Sequence, residues 1–272
     1  MLAAHMRPTM GARVTGCAVL LLLLSGPVGA TSIVVQLDPD RILIAADTHG
    51  YKLGPDLKSS NETECKIVPF NNAAFALAGI ADYVRDQLND PVASWNSYSD
   101  ARESYTEQSG DLGAAANGWA TRAKRHYSSF YLANPARVKQ LAKANDQNVL
   151  VVGMFVGFQG DKAQLLVESI YLDELGIQPI LHKQLVLPAR ELPYSSNGIT
   201  QDLIEGHSAR AKSADEVWRN MSSSIPVSMR TFRHVEFVIQ TTAKYDKTVG
   251  TRVNVLEVSP RKNLHWLQNF TC

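Results

Sequence analysis

The sequence predicts an α/β (α+β) fold: a four-layer α/β/β/α sandwich in which helices cover two mainly antiparallel sheets packed face to face. Three observations carry this expectation. Two β-rich runs, residues 32–37 and 42–46, flank Asp38-Pro39-Asp40-Arg41, a turn of the length a hairpin needs. Helical patterns occupy the middle of the chain. Strands then resume at residues 149–156, a near-continuous apolar run of the kind produced by a sheet covered on both faces.

Taken in order, residues 17–24 form an apolar core preceded by Arg7 and Arg13 and followed by Val28-Gly29-Ala30. That pattern predicts a leader over residues 1–30, removed on export, and one domain over residues 31–272. The apolar core is short for a bilayer span and is followed by small residues, so a secreted or periplasmic protein with no membrane contact after leader removal is expected. Cleavage after Ala30 makes Thr31 the first residue. A terminal threonine offers a hydroxyl nucleophile and, on the same residue, an α-amine that can take its proton. That amine has an ordinary pKa of about 7.7–8.0, so a modest downward shift makes it a neutral base near pH 7.

Asp47 closes the second β-rich run, and a third, residues 65–70, brings in Lys66. Asn71 and Asn72 turn the chain into a strand over 73–78. Gly79 then opens a helical pattern over 80–90, with Ile80, Val84 and Leu88 on one stripe, until Pro91 stops it. Residues 92–110 are polar and read as a long connector. Asp111 is an N-cap for a helix running through Trp119 and Ala123 to about Tyr131. Pro135 opens a shorter helix carrying Val138, Leu141 and Ala144. After the strand at 149–156, residues 163–171 return with alternation, and residues 178–186 form the next strand. Tyr194-Ser195-Ser196-Asn197-Gly198 precedes a helical pattern over 199–207. A longer helix follows Ser213, with Ala214, Val217, Met221 and Ile225 on one face before Pro226. Residues 235–241 read as an extra strand, 252–258 as another, and 262–268 as a final edge strand.

Thr31-Ser32-Ile33, Ala46-Asp47-Thr48, Cys65-Lys66-Ile67 and Leu77-Ala78-Gly79-Ile80-Ala81-Asp82 follow one another in a register that resembles a proteasome β-subunit, a member of the N-terminal nucleophile (Ntn) hydrolase superfamily. Together they cover the first part of the mature chain, with an insertion of about three residues before Lys66. The resemblance implies the Ntn hydrolase fold and a threonine-type amidohydrolase or peptidase. In that scheme Thr31 is the nucleophile, Lys66 depresses the amine pKa, Asp47 orients Lys66, and the Gly79 N–H, expected at a helix start, is the oxyanion donor. Ser196, or Ser195, corresponds to a supporting serine, which an ordinary N-cap explains equally well. Asp246 corresponds to a supporting aspartate. Asp246 and Gly250 keep the family's separation, while Val249 stands where the family carries a serine.

Each residue has a structural reading too: Asp47 as a turn former, Lys66 as an edge-strand charge, Gly79 as a strand-to-helix joint. The joint register behind a cleavage site favours catalysis. The competing class is a catalytically inactive proteasome-like structural or binding protein. The resemblance implies a peptide or small amide substrate and leaves homo-oligomers open. An exported relative would lack an ATP-driven unfoldase, which favours small substrates.

The 27 basic and 26 acidic side chains balance, giving no electrostatic case for nucleic acid. Seven scattered histidines, with neither H-E-x-x-H nor Cys-x-x-Cys, argue against a metal, and no cofactor motif is present. Of three cysteines, Cys17 lies in the leader; Cys65 and Cys272 remain as either a disulfide or two separate thiols. Asn61, Asn220 and Asn269 begin glycosylation sequons, a number that chance can supply.

Overall fold

The computed structural model describes residues 32–37, 40–53, 59–83, 92–144, 148–173, 175, 178–187, 201–206, 227–245, 249–260 and 264–272. Within them, fourteen strands and four helices occur in the order β1 Ser32–Leu37, β2 Ile42–Asp47, β3 His49–Leu53, β4 Ser59–Thr63, β5 Ile67–Pro69, β6 Ala73–Gly79, β7 Asp82–Tyr83, β8 Trp95–Asn96, α1 Ser97–Glu107, α2 Leu112–Ala133, α3 Pro135–Ala144, β9 Val149–Gln159, β10 Lys162–Leu172, β11 Ile180–Leu187, β12 Gln201–Gly206, α4 Val227–Tyr245, β13 Val253–Val258 and β14 Leu264–Gln268. This is a mixed α+β fold built on two five-stranded sheets. The first has the order β12-β1-β2-β13-β14 and the second β11-β10-β9-β6-β5. Every neighbouring pair in both is antiparallel.

Strand alternation explains how the layers stack. Ile33, Val35 and Ile44 of the first sheet meet Ala76, Met154 and Val167 of the second in one buried cluster. The intervening residues face the other way: Val34 and Ala45 pack on Val235, Val238 and Ile239 of α4. Both faces of β1 and β2 are therefore covered, which is why all their residues are buried and why their sequences are almost wholly apolar. The outer face of the second sheet carries the helices α1 to α3. There Phe75, Phe155 and Ile170 pack on Trp119, Tyr127 and Phe130. Burying side chains of this size contributes about 1.5–3 kcal/mol each.

One close approach fixes α2 on that sheet. A Cβ at Gly153 would lie 2.5 Å from the Trp119 ring, so the glycine is the hollow into which the indole fits. The indole N–H donates to Ser97 O at 3.0 Å, which satisfies its one polar atom in the core. Asp111 caps α2 as expected, accepting from Ala114 N at 2.7 Å, and α3 begins at Pro135.

The structure departs from the sequence reading in four places. Residues 97–107, expected within a connector, form α1; its buried face is made of Ser97, Ala101, Ser104 and Tyr105, small or polar residues that weaken the apolar signal. Asp82 and Tyr83 pair with Asn96 and Trp95 instead of continuing a helix, because Gly79 ends β6 and the chain runs on extended. Residues 201–206 are a strand, not a helix, since pairing with β1 completes the first sheet's edge. Residues 235–241 are helical, not an extra strand, and lie inside α4. Their β-branched residues suggested a strand, but the 3–4 spacing of Val235, Val238, Ile239, Thr242 and Ala243 buries one helix face. The leader at 1–30, the remainder of the 80–90 helix and the helix after Ser213 lie outside the described residues.

Candidate functional site

The end of β2 delivers Asp47 to a fully buried position. Its carboxylate accepts four hydrogen bonds. Oδ1 receives the Ser32 backbone N–H at 2.9 Å and the Lys66 Nζ at 2.9 Å. Oδ2 receives the His49 N–H at 3.0 Å and the Gly250 N–H at 2.9 Å. A carboxylate has about four lone-pair sites, so Asp47 is saturated. Lys66 lies immediately before β5 in the other sheet and is only 2 % exposed. The ion pair thus ties the two sheets together, and the three backbone donors offset the desolvation that a buried pair incurs.

Local sequence explains this convergence. Ile33 of β1 is paired with Ala46, so the next residues on each strand, Ser32 and Asp47, come together at the sheet's end, and the Ser32 N–H donates to the carboxylate. Gly250 reaches Oδ2 because it has no side chain: a Cβ there would lie 3.0 Å from His49 N and 3.4 Å from Asp47 Oδ2. Val249, where the resemblance expects a serine, is 3 % exposed and belongs to the cluster under α4. Its apolar side chain is accounted for by packing.

Further ionisable groups surround Lys66. Burial pushes the Glu64 carboxyl above the usual glutamate range; the Lys66 charge opposes the shift and that of Asp82 reinforces it. The Tyr98 hydroxyl donates to Glu64 and is itself held well above its ordinary pKa, first by burial and then by the Glu64 charge. Glu64 N donates to Thr48 O at 2.9 Å, so this acidic neighbour is fastened to the residue after Asp47.

Cys65 and Cys272 form a disulfide, resolving the alternative left open by sequence. The segment that carries Cys272 is held a second way. Asn254, buried on β13, donates to Thr271 Oγ1 at 2.6 Å and accepts from Phe270 N at 2.8 Å, while Thr271 Oγ1 donates to Glu64 O at 3.2 Å.

Among the sequence-predicted site residues, Asp47 and Lys66 are brought together, and Gly79 ends β6, the strand paired with the one that Lys66 leads into. Gly79 has φ +112°, and a Cβ would lie 2.6 Å from Leu150 O. It closes a strand and does not open a helix at the next residue, so a helix N-terminus no longer supports its proposed role as oxyanion donor. Thr31, Ser196 and Asp246 lie outside the described residues. Sequence reasoning missed the Ser32 and Gly250 backbone donors, because main-chain roles leave little residue signature; Gly250 alone carried one, as a glycine beside a candidate acidic site. Among the described residues, no group of three or more His, Cys, Asp or Glu side chains could hold a metal ion, and no helix is long and apolar enough to cross a membrane. No protein-family model matches the chain, and no curated protein matches it.

Proposed function

We propose that this chain is an exported threonine-nucleophile amidohydrolase or peptidase of the Ntn hydrolase fold, activated when leader removal exposes Thr31. The observation that carries the reading is the shared acceptor. One oxygen of Asp47 holds both the Lys66 ammonium and the N–H of Ser32, the residue bonded directly to Thr31. Two antiparallel sheets with helices on their outer faces are compatible with the fold, and the Cys65–Cys272 disulfide suits an oxidising compartment.

In this mechanism Thr31 Oγ attacks the carbonyl carbon of an amide, and the α-amine of Thr31 takes the hydroxyl proton. The tetrahedral intermediate collapses to an acyl ester as the C–N bond breaks, and the proton passes to the departing amine. Water then attacks the ester, with its proton on the α-amine, releasing a carboxylic acid and restoring Thr31. Lys66, charged and fixed by Asp47, favours the neutral form of the amine. In the same scheme the Gly79 N–H, carried at the end of β6 and not at a helix start, is the oxyanion donor, and Ser196 and Asp246 support the nucleophile. The substrate is a peptide or small amide.

A catalytically inactive relative is the second reading, favoured by the saturation of Asp47, since a fully satisfied ion pair also serves as a staple between sheets. Hydrolysis of a library of acyl amides and short peptides by the mature protein tests the two. Thr31→Ala is expected to abolish turnover, and Thr31→Ser to retain part of it. Turnover that survives in Thr31→Ala, or its absence from the wild type across the library, removes the catalytic reading.

A further inference from the structure

Next to the residues that hold Asp47 Oδ2 lies a pocket of about 350 Å³. Two of its lining residues, His49 and Gly250, are those whose N–H groups hold Asp47 Oδ2, so the pocket shares a wall with the candidate site. Apart from Val249, the rest of the lining is polar or cationic. Thr48, Thr63 and Thr251 are hydroxyl residues and Arg252 is a cationic one, with no acidic residue among them. Val249 is the single aliphatic member.

Arg252 is the informative residue. Its guanidinium carbon lies 5.9 Å from the centre of the Phe270 ring, which supports one face of the cation, and among the described residues it has no carboxylate partner. Phe270 is in turn held by Asn254 and lies two residues before the Cys65–Cys272 disulfide. The backbone of Arg252 is fixed as well, because its carbonyl accepts the Thr48 N–H at 3.1 Å. A guanidinium carried on an anchored backbone beside an open, acid-free pocket is suited to a planar oxyanion, which it grips with two parallel N–H bonds. The volume is at the low end for ligand sites and admits one short carboxylate-bearing arm.

We infer that this pocket is a carboxylate subsite, in which Arg252 receives an acidic group on the substrate while the Thr48, Thr63 and Thr251 hydroxyls complete its hydrogen bonding. The inference rests on the proposed amidohydrolase reading, and it narrows the substrates to amides that carry a free carboxylate on a short aliphatic arm.

Calorimetric titration of the mature protein with glutarate, its neutral analogue glutaramide and inorganic phosphate tests it without requiring turnover. Glutarate is expected to bind, glutaramide and phosphate to bind at least about tenfold more weakly, and Arg252→Ala to weaken glutarate by about 10–100-fold. Arg252→Lys is expected to recover only part of that loss, since it keeps the charge but not the fork. Thermal melts of both variants establish that they fold. No glutarate binding to the wild type, equal binding of glutaramide, phosphate binding as tight as glutarate, or unchanged glutarate affinity in a folded Arg252→Ala would each overturn the subsite. Arg252-dependent glutarate binding in a protein that turns over no amide would uphold the pocket and count against the catalytic reading alone.

Discussion

Cys65 is bonded to Cys272 across a sequence separation of 207 residues, with Cα atoms 5.0 Å apart, which fastens the 269–272 segment one residue ahead of Lys66. The covalent link and the Asn254 hydrogen bonds hold the same segment independently. Reduction, or a Cys65→Ser, Cys272→Ser double variant, is expected to lower stability by about 2–5 kcal/mol, mainly by freeing the unfolded chain. Urea denaturation with and without reductant measures this. Two titratable thiols in the unreduced native protein would contradict the pairing.

Lys66 and Asp47 form a pair whose value depends on both members being present. Lys66→Met leaves a buried carboxylate without its cation, and Asp47→Leu leaves a buried ammonium; each is expected to cost about 3–5 kcal/mol. The double variant should lose markedly less than the two single losses added together. A double-mutant cycle by chemical denaturation reads the coupling, and strict additivity would mean that the pair does not act as a unit.

Gly79 and Gly160 separate backbone strain from crowding. Both have positive φ, but a Cβ at Gly79 strikes the Leu150 backbone, whereas one at Gly160 meets nothing within 4 Å. Gly160→Ala is expected to cost about 1 kcal/mol. Gly79→Ala is expected to cost about 2–4 kcal/mol, as the clash adds to the strain. Equal losses in thermal or urea unfolding would show that the β6 and β9 backbones separate freely at this point.

Glu64 gives the protein a pH dependence with a defined sign. Its carboxyl binds its proton more tightly folded than unfolded, chiefly because it is buried. The stability it contributes is therefore fully present below the ordinary glutamate value of 4.5 and is lost as pH rises through the elevated folded value. Glu64→Gln mimics the protonated form at every pH. The wild type is expected to lose more stability than Glu64→Gln on going from about pH 4 to about pH 7. Parallel pH profiles of the urea midpoint would contradict the shift.

Much of the fold could be read from sequence wherever burial imposes a simple pattern. The run at β9 is apolar on both faces because both are covered, and Asp111 marks α2 because the first turn of a helix needs an acceptor. Legibility failed where tertiary pairing overrode the local signal. Residues 201–206 gain their strand pairing from β1, which no window around them reveals. Helix α1 hides its buried face behind Ser97 and Ser104, and α4 hides its helical period behind β-branched residues. At the candidate site Asp47 and Lys66 stood out as side chains, and the structure joins them. The Ser32 and Gly250 donors are main-chain groups, and the 65–272 disulfide links positions too distant for spacing to pair.

In the proposed mechanism, removal of residues 1–30 bares the Thr31 nucleophile. Mass spectrometry of the protein recovered from cells expressing the full sequence, after treatment with a threonine-directed electrophile, reads this step. A chain beginning at Thr31 that carries one adduct on that residue is expected, with no adduct in Thr31→Ala. A mature chain beginning at any other residue, or an adduct that persists in Thr31→Ala, would contradict it.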